Sequence, residues 1–209
     1  MIMPVPLLEV RHLRVEFPTR RGKLLALDDI SFTIAPGEVL GVVGESGAGK
    51  SLTGAAIIGL LEPPGRIAGG EILLEGRRID NLPYEQLRAI RGRQIGAIFQ
   101  DPLTSLNPLY TIGRQLIETI RTHLPVSEDE ARARAIRLLQ ETGIPAAEAR
   151  IDQYPHQFSG GMRQRVVIAL ALAAEPKLIV ADEPTTALDV SIQAQIIALL
   201  KRLCKDHGA

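Results

Sequence analysis

The segment Gly44-Glu45-Ser46-Gly47-Ala48-Gly49-Lys50-Ser51 fits the pattern G-x-x-x-x-G-K-[ST], and few backbones satisfy it. Glycines let backbone N–H groups close around an anion with no side chain in the way. Lys50 adds a mobile point charge suited to phosphate oxygens, and the Ser51 hydroxyl suits a divalent cation. A helix starting at Ser51 would aim its positive end at the same anion. The flanks agree with this reading. Glu38 to Val43 (EVLGVV) is the short apolar run expected of a buried parallel strand, and Ser51 to Leu61 reads as a helix.

The rest of the chain limits what can surround such a loop. With 209 residues and 45% hydrophobic content, one sizeable domain is expected, and 3% aromatics make its core aliphatic. Lys+Arg and Asp+Glu both number 24, so no global charge favours nucleic acid or anionic lipid. The single cysteine, Cys204, excludes an internal disulfide; it reads as a small packing residue in a reducing setting. The start, MIMPVPLLEV, has no basic region followed by an apolar stretch, so no signal peptide is expected. The longest apolar run, Val166 to Ala174, falls far short of the ~20 residues that cross a bilayer.

Strands are expected at Leu7 to Phe17, Leu25 to Ile34, Gly69 to Ile79, Ile95 to Phe99 and Lys177 to Ala181. Between Gln100 and Phe158 helical periodicity takes over. There Ser127-Glu128-Asp129-Glu130 predicts a capping box, followed by a helix that Gly143 ends. This stretch reads as an α-helical subdomain inserted between strands.

Two further motifs carry chemistry. Leu178-Ile179-Val180-Ala181-Asp182-Glu183 is an apolar strand ending in two acids, and parallel sheets bind ligands at the carboxyl ends of their strands. Alone, the pair reads as the start of a solvated loop before Pro184; beside the glycine loop it reads as Asp182 accompanying Mg²⁺ and Glu183 orienting a water. Phe158-Ser159-Gly160-Gly161-Met162-Arg163-Gln164 offers an N-cap at Ser159 and two open glycines before a helix, Gln164 to Ala174, that is apolar nearly all round. That reads as a second anion site or as an ordinary capped helix.

With these residues in view, the chain resembles the ATP-binding subunits of ABC transporters over essentially its whole length. The motifs that carry the resemblance are 44–51, Phe99-Gln100-Asp101-Pro102, Phe158–Gln164, Leu178–Glu183 and Ala187-Leu188-Asp189. Within the family it is similar to importers of dipeptides, oligopeptides or nickel, through the runs Gln100 to Pro108 and Tyr154 to Arg165; Phe158 and Met162 are that group's variants.

The resemblance implies an α/β fold of the P-loop NTPase type: a RecA-like core (1–99 and 166–209) with an N-terminal antiparallel β region, and a helical and signature subdomain (100–165). It implies ATP and Mg²⁺. Gly44, Gly47, Ala48, Gly49 and Lys50 would hold phosphates, and Ser51, Gln100 and Asp182 would serve the metal. Glu183 would be the base, with Gln100 sensing the γ-phosphate. Ser159, Gly160 and Gly161 would cap ATP held by a second protomer, and Asp189 would lie on the loop joining the two sites. Phe17 is either an adenine platform or a packed strand residue. His156 reads as a structural loop residue.

The implied partners are an identical or homologous ATPase subunit in a head-to-tail dimer, transmembrane permease subunits and, indirectly, an extracytoplasmic substrate-binding protein, with no nucleic acid. The implied location is the cytoplasmic face of the bacterial inner membrane. The family's switch histidine is expected on a strand after Glu183. His207 comes too early and in a helix-ending context, so the chain reads as a fragment of a longer protein, with a gap in its sheet and poor hydrolysis on its own. Rival readings are a non-transport ABC-type ATPase, a small-molecule kinase or GTPase using the same loop, and a nucleotide-gated interaction module.

Overall fold

The computed structural model describes residues 5–186 and 188–209. Its elements are β1 (Leu8–Thr19), β2 (Gly22–Ile34), α1 (Lys50–Ile57), β3 (Arg66–Leu74), β4 (Arg77–Arg78), α2 (Tyr84–Ile90), β5 (Ile95–Ile98), α3 (Pro102–Ser105), α4 (Ile112–His123), α5 (Glu128–Glu141), α6 (Ala147–Arg150), α7 (Gly160–Leu172), β6 (Leu178–Ala181) and α8 (Val190–His207). The chain divides into two compact units, one ending at Arg91 and the other running from Gly92 to Ala209.

The first unit is built on an antiparallel sheet in the order β2-β1-β3-β4. Along β1 the alternation of Leu8 and Val10 is broken and resumes at Leu13 and Val15, all four buried. Register shifts between Val10 and Leu13, and His12 takes φ 48°, as an inserted bulge residue does. The bulge keeps the apolar side chains on one face. The run Gly69 to Ile79, expected as one strand, is a hairpin: Glu75 (φ 50°) and Gly76 (φ 77°) turn β3 into β4. Helix α1 stops earlier than expected because Gly59 (φ 66°) takes the left-handed position, with Gly59 N donating to Ala56 O and Leu60 N to Ala55 O.

The run Glu38 to Val43 departs most from expectation. It forms no strand, and Val39, Leu40, Val42 and Val43 are exposed, Val43 at 93%. Before it, Ala35 N donates to the Glu38 carboxylate (2.7 Å) and Glu38 N to Ala35 O (3.1 Å), closing a turn. A strand exists only where a neighbour completes its ladder, and among the described residues nothing pairs with 38–43.

In the second unit, β5 and β6 pair in parallel from Ile95–Leu178 to Ile98–Ala181. Around them lies an aliphatic core. Ile112, Leu116 and Ile120 form a stripe on α4; Ala131, Ala135, Leu138 and Leu139 face inward from α5. Helix α7 is buried around most of its girth, through Val166, Val167, Ile168, Ala169, Ala171 and Leu172. Gly96 allows its close approach to β5, since a Cβ there would lie 2.3 Å from Ala171 O. Ser127 caps α5 by accepting from Glu130 N (3.2 Å). The Glu130 carboxylate accepts from Arg134 (2.9 Å) rather than serving the cap, because the i,i+4 guanidinium offers a charged donor.

Candidate functional site

In the first unit, the glycine loop leads into α1 through Gly47 (φ 82°) and Gly49 (φ 87°). Gly49 is demanded twice: its φ is left-handed, and a Cβ would fall 2.4 Å from Leu27 Cδ2. Ala48 N donates to Glu45 O (3.2 Å), so the loop turns on itself. Lys50 Nζ donates to Gly44 O and Glu45 O, both at 2.9 Å, which puts the ammonium inside the loop. No side chain caps α1, and Ser51 stands in its first turn. Backbone turned inward around a lysine, at the positive end of a helix, is a cradle that suits phosphate oxygens. Phe17 lies half-buried on β1 with its ring edge against Gly65, where a Cβ would meet Cε1 at 2.6 Å.

In the second unit the geometry gathers around Glu183. β5 ends at Ile98, and Asp182 N donates to Ile98 O (2.9 Å), which carries the pairing one residue beyond β6. Asp101 and Pro102 then start α3: the Asp101 carboxylate accepts from Leu103 N (2.8 Å), with Pro102 at the first helical position. Gln100 is thereby held between a strand end and a helix start. Its Nε2 donates to Glu183 Oε2 at 2.9 Å. Thr186, which sequence reasoning passed over, donates through Oγ1 to the same oxygen, also at 2.9 Å. Its spacing of three from Glu183 across Pro184 was the available signal, since Pro favours a turn at that point.

The signature segment begins with a short 3-10 turn in which the Gln157 side chain accepts from Tyr154 N (2.8 Å). His156 stacks on Tyr154 in this turn, with centroids 5.8 Å apart, in keeping with a structural role. Phe158 is buried, and its carbonyl accepts from Arg163 (2.9 Å). Ser159 Oγ accepts from Met162 N (3.3 Å) and caps α7. A Cβ on Gly160 would meet nothing nearer than Leu188 Cδ2 at 4.0 Å, and one on Gly161 nothing nearer than Ile192 Cγ2 at 3.6 Å. Packing within the unit therefore does not demand glycine at either place, and the start of α7 stays open.

Asp189 is the exposed N-cap of α8; its carbonyl accepts from Ile192 and Gln193 N–H groups at 2.9 and 3.0 Å. Leu188 and Ile192 thus bring its loop beside the signature glycines. Ala187 of that motif, and residues 1–4 at the N-terminus, lie outside the described residues. His207 pairs with Glu141 (2.8 Å) at the end of α8, a structural contact. Cys204 is half-buried, which pushes its thiol pKa up and keeps it protonated, as a packing residue should be.

Among the described residues no three His, Cys, Asp or Glu side chains cluster as metal ligands, and no helix is long and apolar enough to cross a membrane. A Mg²⁺ ion bound together with phosphates takes only one or two protein oxygens. The Ser51 hydroxyl in the first unit and the Asp182 carboxylate in the second are each oxygen donors of the type it takes.

Comparison with known proteins adds three findings. Residues 27–186 match the family described as ABC transporter. The oligopeptide transport ATP-binding protein OppD of Bacillus subtilis (strain 168) is 52% identical over 206 residues, covering 98% of this chain and 58% of the relative. OppD of Salmonella typhimurium is 52% identical over 202 residues, covering 97% and 60%. The chain thus spans about three-fifths of the length of the curated relatives it matches. Among solved structures, the ATP-binding cassette MJ0796, a dimer bound to ADP and Pi, superposes with TM-score 0.83 at 30% identity, over 96% of this chain and 84% of that one. The cassette cbiO1 of Clostridium perfringens, part of the complex cbiONQ, gives TM-score 0.79 at 32% identity, over 97% and 75%.

Proposed function

The chain belongs to the ABC transporter family, and on that premise we propose that it is the ATP-binding and ATP-hydrolysing subunit of a peptide importer. Its fold is that of the P-loop ATPase cassettes. The observation that carries the enzymatic reading is the Glu183 carboxylate at the end of β6, held at 2.9 Å by the Gln100 amide. The OppD relatives support oligopeptides as the cargo.

In this reading Lys50 and the loop from Gly44 to Gly49 bind the phosphates. Ser51, Gln100 and Asp182 provide oxygens for Mg²⁺, which when bound neutralises phosphate charge. Glu183 accepts a proton from water as the water oxygen bonds to the γ-phosphorus and the bridging β–γ P–O bond breaks, releasing ADP and phosphate. Phe17 is the candidate platform on which adenine stacks. The open start of α7, with Ser159, Gly160 and Gly161, meets the triphosphate of a second ATPase subunit, identical or homologous, and Asp189 lies on the connecting loop.

The residue ranges 1–99 with 166–209 serve as the nucleotide core, and 100–165 as the helical and signature subdomain. ATP favours the closed pair because its γ-phosphate touches both subunits; hydrolysis removes that contact and the pair reopens. Permease subunits at the cytoplasmic face of the inner membrane receive the motion, and an extracytoplasmic substrate-binding protein delivers the peptide to them.

The test is Glu183→Gln in the full-length protein assembled with its partners. ATP affinity stays near wild type while turnover falls by about 10²- to 10⁴-fold, the range for losing a general base. Turnover at the wild-type rate refutes Glu183 as the base.

A further inference from the structure

The Glu183 carboxylate is held on one side only. Gln100 Nε2 and Thr186 Oγ1 both donate to Oε2 at 2.9 Å, and among the described residues no donor reaches Oε1. We infer that Thr186 is a positioning residue whose hydroxyl turns the Glu183 carboxylate so that Oε1 is the oxygen presented to water. The inference rests on Glu183 being the base proposed above.

The local backbone builds this contact. Glu183 leaves β6 at φ 43°, an uncommon conformation for a residue with a side chain. Pro184 follows at the second position of a turn that Thr186 N closes on Glu183 O (3.2 Å). The turn folds the Thr186 hydroxyl back over the side chain three residues before it. An ionised carboxylate has two oxygens with about two lone-pair sites each. Two donors on Oε2 occupy that oxygen and stop the group from flipping, so proton acceptance passes to Oε1.

The two donors differ in origin. Gln100 comes from a segment 83 residues away in sequence and is exposed. Thr186 belongs to the same turn as Glu183 and travels with it. If Gln100 lets go of Glu183 to serve nucleotide, Thr186 still holds the carboxylate in register. A base misplaced by a fraction of an ångström loses catalysis without losing substrate, because positioning acts on the transition state.

Steady-state ATP turnover of the full-length protein in its transport complex tests this. Thr186→Val removes the hydroxyl at nearly constant shape; kcat falls by about tenfold while KM for ATP and the thermal midpoint stay unchanged, the signature of a contact that matters only in the transition state. Thr186→Ser restores kcat. In the Glu183→Gln background Thr186→Val costs nothing further, because there is no carboxylate left to orient. If valine perturbs folding, Thr186→Ala carries the same comparison with serine.

Wild-type kcat in Thr186→Val, a serine variant as slow as valine, or full additivity with Glu183→Gln overturns the inference. Those results leave the base intact if Glu183→Gln alone stalls turnover. Normal turnover in Glu183→Gln removes the base itself.

Discussion

Two helices of this chain begin at glycines, and their supports differ. Helix α7 starts behind the Ser159 cap and runs into the aliphatic core of its own unit, with Val166, Ile168 and Ala169 fully buried. Helix α1 starts behind an uncapped glycine loop that is reached through a run of exposed valines and closed by Lys50 on its own carbonyls. The signature end thus draws its stability from packing, and the loop end from local backbone geometry and one cation. A backbone cradle can be written in eight consecutive residues. A buried helix needs side chains from many places in the chain, and a strand needs a neighbour.

The difference can be broken most sharply in the core of the second unit. Ile168→Ala empties a fully buried site on α7 and should cost about 2–4 kcal/mol, read as a lower denaturant midpoint. A loss below about 1 kcal/mol would show that α7 is not anchored by packing. At the other helix, Lys50→Ala should leave folding almost untouched but weaken ATP binding by about 10- to 100-fold, the worth of a charge-assisted contact to phosphate. Calorimetric titration of nucleotide on the full-length protein measures it, and unchanged affinity would remove Lys50 from the site.

A smaller effect concerns the sheet beneath the loop. The Arg66 guanidinium, at 2.8 Å from Glu16 on β1, holds that carboxyl below its ordinary range, with Lys23 adding to the pull. A depressed folded-state pKa gives stability that is present above the unfolded value and is lost as pH falls through the folded one. Wild type should therefore lose more of its thermal midpoint than Glu16→Gln between neutral pH and pH values under the ordinary glutamate range. Parallel losses would deny the pair a role. The smallest effect is expected at Val43, whose side chain touches little in this chain. Val43→Thr should change the stability of the 209-residue chain by no more than about 0.5 kcal/mol, and a larger loss would mean that the segment before the loop is packed after all.

Much of this was legible in the residues. The glycine loop, the Ser127 and Ser159 caps, the apolar α7 and the acids after β6 are local patterns whose physics is complete within a few positions. The hairpin at Glu75-Gly76 was written there too, but the alternation on both sides of it masked the turn.

Two things were not legible. The apolar run 38–43 has the composition of a buried strand, yet strand formation is decided by hydrogen-bond partners elsewhere, and among the described residues it has none. Thr186, three residues past Glu183 and across Pro184, carries a turn signal in the sequence, but that signal does not say its hydroxyl lands on the carboxylate. The amino-acid order by itself determined which groups could bind phosphate and which helices must be buried, because periodicity, capping and glycine geometry are short-range. Only the tertiary structure decided that Gln100 and Thr186 converge on a single carboxylate oxygen, because parallel pairing of β5 with β6 brings together residues 83 positions apart.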